Sequence, residues 1–274
     1  MPATHTITPD KLARLVGTAG APRIVDLRPA PVLVVPGSTF PRHSDALRWD
    51  YPGGSSVVIV DAEGGATATA TAAVLRSEGV AAEILDGGFS AWVARGLVTV
   101  SLAPLPPRHD DGRTWWVTRA RPKVDRIACP WLIRRFVDPD ARVLFVPPAD
   151  VPAVAAERQA EPFDIAHEGV VWSHRGERCT FDAMVEAFGL GAHEPLARLA
   201  AIVRGADTDR LDLAPEAAGL LAISLGLSRV HGDDHAQLEA GMAIYDALYR
   251  WCRDAQDERH DWASHRPARS AVPA

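Results

Sequence analysis

The sequence predicts an α/β domain built on a parallel sheet with flanking helices, followed by a mainly helical α+β domain. Three observations carry that reading. Short β-branched runs alternate with helix signals in the first part of the chain. A Pro-rich polar stretch, APLPPRHDDGR at 103–113, then interrupts the pattern, and beyond it apolar residues recur at helical spacing. With 274 residues the chain suits two domains better than one. The expected boundaries are 1–103 for the first domain, 104–113 for the linker, 114–263 for the second domain and 264–274 for a disordered tail.

The elements follow in order. TPDKLARLV opens a helix with Thr8 as N-cap and Pro9 at the first helical position. RIVDLR and SSVVIVD are runs of buried-strand type, TATATAAVLRSEG is a helix closed by Gly79, AAEILDGG is another strand and SAWVARG a short helix. Past the linker, TWWVTRARPK and ARVLFVP read as strands, and CPWLIRRFVDP as a helix with Pro130 near its start. GVVWSHRGERCTF reads as a hairpin, with Val170, Trp172 and His174 on one face and its turn at Arg175–Gly176. Helices follow at FDAMVEAFGL, EPLARLAAIVRG and APEAAGLLAISLG. The last is apolar on every side and is expected to be the buried central helix. In the final helix Leu238, Met242, Tyr245, Tyr249 and Cys252 form a packing stripe.

Composition narrows the classes. A net charge of −6 opposes non-specific coating of nucleic acid. No apolar run is long enough to span a membrane, and the three cysteines are odd in number and widely spaced, so a reduced, cytoplasmic protein is expected. Cys129 and Cys252 read as packing residues. Cys179, just ahead of a helix, also reads as structural, because Asp182 and Glu186 place negative charge nearby.

Two segments of the first domain, IVDLR and LDGGFSAWVARGL with Gly87, Gly88, Trp92 and Gly96, resemble the rhodanese family. The resemblance implies a central strand ending in a Cys that carries sulfur as a persulfide, within a loop of inward-pointing backbone amides. Here Asp61 stands at that lost nucleophile position and Ala66 about where an Arg closes the loop. A carboxylate cannot carry a persulfide, so no sulfurtransferase activity is expected. The loop is expected to hold Asp61 internally and to persist as scaffold.

In the second domain the segments WVTRARPKVDRIACPWLIRRFVDP, SHRGERCTFD, IVRGADTDRLDLAPEAAGLLAISLGLSR and DDHAQLEAGMAIYDALYRWCRDA resemble the C-terminal domain of ChrB-type chromate-resistance proteins. The resemblance implies a role in chromate response, as regulator or accessory factor. A DNA-binding domain precedes this region in regulatory members. Here a rhodanese-like domain takes that place, which argues with the acidic charge against a nucleic-acid partner.

Two constellations carry chemistry. Arg119, Arg121, Lys123 and Arg126 form the densest basic cluster, and guanidinium forks suit a chromate- or sulfate-like oxyanion. Arg119 and Arg121 share a face if their strand persists. The second set is His174, Asp207, His231 and His235, with Asp234 and Glu239 as outer partners; imidazole plus carboxylate suits a divalent Zn, Mn or Fe ion. His235, beside the apolar stripe, is expected to point inward. Three functions compete: an oxyanion-binding chromate-response protein, a metal-dependent enzyme using the His/Asp set, and a DNA-binding regulator. Whether the chain is an enzyme stays open between the first two, as does a homodimer.

Overall fold

The computed structural model describes residues 5–40 and 56–258. The tail expected from 264 lies outside them. The N-terminal part runs β1 (Thr6–Ile7), α1 (Pro9–Ala13), β2 (Arg23–Asp26), β3 (Leu33–Val34), β4 (Ser38–Thr39), β5 (Ser56–Val60), α2 (Ala66–Ser77), β6 (Ala81–Leu85), α3 (Gly88–Ala94) and β7 (Val100–Ser101). Strands β1-β6-β5-β2-β4 form one sheet in that order, every neighbouring pair parallel. Strand β5 lies centrally and is apolar on both faces, as a doubly covered parallel strand must be. Val57 and Ile59 pack with Ala68, Ala72 and Leu75 of α2. Val58 and Val60 point the other way, into the core that holds Trp92. As expected, Thr8 caps α1, its Oγ1 accepting from the Lys11 amide at 3.3 Å.

The C-terminal part contains β8 (Trp115–Arg119), α4 (Asp125–Leu132), β9 (Arg142–Val146), α5 (Val151–Arg158), β10 (Glu161–Pro162), α6 (Thr180–Ala187), α7 (Glu194–Asp207), α8 (Ala217–Val230) and α9 (Asp234–Asp254). Three strands, β10-β8-β9, form a second parallel sheet, and helices dominate the rest. Helix α4 starts five residues before Pro130 rather than near it, and continues into a π-helical turn, Ile133–Val137. Pro130 has no N–H to donate to the carbonyl one turn back, and the helix widens just after it. The stripe on α9 is buried as predicted. It packs around Trp131, whose ring centroid lies 6.2 Å from Tyr245 and 5.6 Å from Tyr249.

Three expectations need correction. Helix α8 is not the central helix: it buries Ala217, Leu220, Ser224 and Ser228 but leaves Ile223 46% and Val230 76% exposed. A helix apolar all round does not reveal which face is covered, and α8 lies against α7 and α9 on one side only. The predicted hairpin is a single tight turn. Arg175 and Arg178 exchange backbone hydrogen bonds of 3.0 and 3.1 Å across Gly176–Glu177, and Trp172 bridges to Phe163 instead of to a partner arm. Strand β8 ends at Arg119, because Arg121 takes φ 58 and Pro122 cannot continue the ladder.

The two parts share one hydrophobic core, in which Ile7, Leu12 and Trp92 join Trp131, Phe136 and Tyr249. Gly17 sits at their meeting point with φ +73, where a Cβ would stand 2.4 Å from the Phe136 ring and 2.9 Å from Tyr249. The Gly37 amide donates to the Phe136 carbonyl at 2.6 Å, and Ser101 to Phe188 at 2.9 Å. An Arg23–Asp140 ion pair closes the edge.

A candidate metal centre

The carboxyl ends of β8 and β10, the start of α4 and the end of α7 converge on one point. Arg119 is the last residue of β8, and Asp164 lies two residues past β10, the edge of a parallel sheet where ligand sites collect. Asp125 is the first residue of α4 and Asp207 the last of α7. His174 reaches in from a loop fixed by Trp172, which is buried and stacked on Phe188 at 5.3 Å, and by the Arg175–Arg178 turn.

His174 Nε2 lies 3.1 Å from Asp207 Oδ2, 3.6 Å from Asp164 Oδ1 and 3.7 Å from Asp125 Oδ2. Asp125 is completely buried. Its Oδ2 accepts from the Thr180 and Phe181 amides at the start of α6, at 2.6 and 3.3 Å. Its Oδ1 is buried with no hydrogen-bond partner among the described residues. Asp164 accepts from Arg119 at 3.1 Å and Thr180 Oγ1 at 3.2 Å, and pairs with Arg126 at 3.2 Å. Val124 at φ 31 and Asp164 at φ 51 hold strained backbone on either side, a cost that the surrounding packing must offset.

The charges sort themselves. Burial, then Asp207 and Asp164, push the Asp125 carboxyl well above its ordinary range. Burial and Asp164 raise Asp207 as well. Burial would also raise Asp164, but His174, Arg119 and Arg126 outweigh it and hold that carboxyl low. His174 rises to about 9, chiefly through Asp164 and against its own desolvation. Asp164 acts through a hydrogen bond, and the charges of Asp125 and Asp207 add to it. Asp125, Asp207 and His174 thus share the crowded space by holding protons, which a cation could replace. The end of α7 adds partial negative charge from its free carbonyls.

Asp125, His174 and Asp207 each offer a ligand atom, all within 4.8 Å of one another. The sequence singled out His174 and Asp207 of this set, and the fold brings them together. His231 and His235 are not part of it. His235 is exposed, its ring edge-on to Phe145 at 5.3 Å, rather than turned inward; burial on α9 begins only at Gln237 and Leu238, past the helix's first residues. Asp234 accepts from the Arg121 amide at 3.1 Å and Glu239 pairs with Arg134 at 2.7 Å, so neither backs the cluster. The basic cluster also divides. Arg119 and Arg126 serve Asp164, Arg121 donates to the Ser228 and His231 carbonyls at the α8–α9 junction, and Lys123 is exposed.

Asp125 and Asp164 were the residues missed. Asp125 shares a helical face with the buried Ala128, Cys129 and Leu132, and a carboxylate on an apolar stripe was the available signal. Cys179 is buried, with its thiol pushed up by burial and by Asp125 and Asp182, in keeping with a structural role. In the N-terminal part, Asp61 is held as expected: Glu63, Gly65 and Ala68 amides donate to it at 3.1, 3.0 and 3.3 Å, with Gly64 between them.

The fold and site define a class: an α/β part joined to a mainly helical part that carries a carboxylate–histidine centre. The chain belongs to the ChrB family through its C-terminal part, where the family model described as ChrB, C-terminal domain, matches residues 116–252. That range contains all four groups of the centre. The chain is 35% identical over 147 residues to Protein ChrB of Cupriavidus metallidurans, covering 52% of this chain and 43% of that protein, so it spans less than half of its relative's length. Among solved structures it is similar to a thiosulfate sulfurtransferase from Pseudomonas aeruginosa, with 29% identity, TM-score 0.32, and coverage of 36% of this chain and 19% of the other. A rhodanese-related protein from Thermoplasma volcanium is 19% identical with TM-score 0.31, covering 35% of this chain and 97% of that one. No helix among the described residues is long and apolar enough to cross a membrane.

Proposed function

We propose that this protein acts in chromate response as a metal-dependent enzyme, with Asp125, His174 and Asp207 as ligands to a divalent ion and Asp164, paired with Arg119 and Arg126, beside them. The observation that carries the reading is the buried, unpartnered Asp125 Oδ1 beside two further carboxylates and an imidazole. One imidazole among carboxylates, with the nearby thiol kept protonated, suits Mn or Fe better than Zn. Such an ion supplies Lewis acidity, or redox chemistry, to a bound substrate. The N-terminal loop, its amides taken by Asp61, supports the absence of sulfur transfer from that part.

Elemental analysis of the purified full chain tests the proposal. Near-stoichiometric metal is expected in the wild type, with loss in both Asp125→Asn and His174→Ala. A wild type purified and reconstituted with Mn or Fe that holds neither would overturn it.

A second reading, an oxyanion held by Arg119 and Arg126, has one observation in its favour: Arg119 Nε is buried without a partner among the described residues. Against it, both guanidinium groups already neutralise Asp164. Sulfate that raises the melting temperature of the wild type but not of Arg119→Ala would favour this reading.

A further inference from the structure

A cavity of about 620 Å³ is lined by Arg175, Arg178, Arg204 and Arg210, with Glu177, Thr208 and Leu213, so the residues that directly follow His174 and Asp207 stand in its wall. Two of the segments that supply the centre, the His174 loop and the end of α7, also supply walls of the cavity. Arg175 directly follows His174, and Arg204 lies one helical turn before Asp207 on α7. Four guanidinium groups thus ring a space whose lining includes one carboxylate.

These arginines are not spent on their internal contacts. Arg175 gives one hydrogen bond, to the Val171 carbonyl at 3.1 Å, and has no carboxylate partner among the described residues. Arg178 pairs with Glu186 through a single contact in which both side chains are more than half exposed, 55% and 62%. Arg204 uses Nη1 on Asp182 at 3.2 Å, and Arg210 holds the exposed Asp212 through two nitrogens, at 3.0 and 3.1 Å. Each guanidinium carries five N–H donors in a planar fork, so most donors remain available, and exposed ion pairs exchange partners at little cost. The volume lies within the range of small-molecule sites and exceeds what a bare tetrahedral ion needs, while Leu213 offers an apolar contact for the remainder of a ligand.

We infer that this cavity is the substrate site for the metal centre, and that it takes a small anion bearing a tetrahedral, phosphoryl- or sulfonyl-type oxyanion group. The inference rests on the metal reading for its catalytic meaning but not for the binding itself. The acidic centre attracts a cation and the arginine cavity an anion, on neighbouring residues of one loop and one helix end. Bidentate guanidinium donors hold the oxyanion, and the adjoining centre acts on the ligand.

Calorimetric titration of the full chain with phenyl phosphate, and separately with inorganic phosphate, tests this, with metal content measured on the same samples. Phenyl phosphate is expected to bind the wild type and to bind an Arg175→Gln/Arg178→Gln variant about tenfold or more weakly, the loss expected for charge-assisted hydrogen bonds. Metal content and melting temperature are expected to stay unchanged, since both arginines are exposed. Arg-dependent binding of inorganic phosphate at equal strength also supports the site and identifies the free oxyanion as the ligand. Arg-dependent binding in a chain that takes up no metal supports the cavity while removing the metal reading. Absence of binding by the wild type, or equal affinity in wild type and variant, overturns the inference whatever the metal content.

Discussion

Asp61 and His174 each show what a single side chain settles here. Asp61 fills the N-terminal loop with its own carboxylate, accepting several backbone amides as an N-cap residue does. Asp61→Ala leaves those donors to water or to nothing, and a loss of about 1–2 kcal/mol is expected in denaturant unfolding. Asp61→Asn is expected to lose less, and an alanine variant as stable as the wild type would show that the loop does not need its occupant. His174 reports on the C-terminal centre through pH. Its folded value of about 9 lies above the ordinary 6.5, so it favours folding in its protonated form. That contribution is full below pH 6.5 and disappears as pH rises through 9. The metal-free chain is therefore expected to lose stability between those values, modestly because the side chain is 42% exposed, and His174→Ala to flatten the slope. Equal slopes would remove the histidine from the cluster.

At the scale of elements, periodicity identified what is buried only where one face contrasts with the other. The stripe on α9 was legible because polar residues flank it, and the β5 run because uninterrupted β-branched residues have few other places to go. Helix α8 lacked that contrast, so its sequence overstated its burial; the covered face consists of Ala and Ser as much as Leu. The end of β8 illustrates a different limit. Period-two alternation puts Arg119 and Arg121 together only while the strand lasts, and the positive φ at Arg121 sends its guanidinium to the α8–α9 junction. The centre itself was half legible. His174 and Asp207 stood out by residue type. Asp125 and Asp164 resembled an ordinary helix start and a loop, because their partners arrive from α6, α7 and β8, far away in sequence.

For the molecule as a whole, the shared core decides how the two parts behave. A polar linker suggested independent domains, yet Trp92 and Leu12 belong to the same apolar cluster as Phe136 and Tyr249, and Arg253 reaches from the end of α9 to the Val16 carbonyl at 3.3 Å. Parts that bury each other's apolar surface lose it together, so a single cooperative transition is expected, with tryptophan fluorescence and far-UV dichroism coincident. Gly17 is the place to break that coupling. An alanine there faces a positive φ that costs about 1–2 kcal/mol and a Cβ that must displace the Phe136 and Tyr249 rings, adding about 1–3 kcal/mol of overpacking. Gly17→Ala is expected to lower the midpoint and to separate the two probes, because most of the tryptophans lie in the C-terminal part while far-UV dichroism reports on both parts. Its effect on metal content should be small, since every residue of the centre is carried by elements from β8 onward. Coincident probes at an unchanged midpoint would mean that the rings yield easily and that the two parts are held together elsewhere, through contacts such as Gly37 to Phe136 and Arg23 to Asp140.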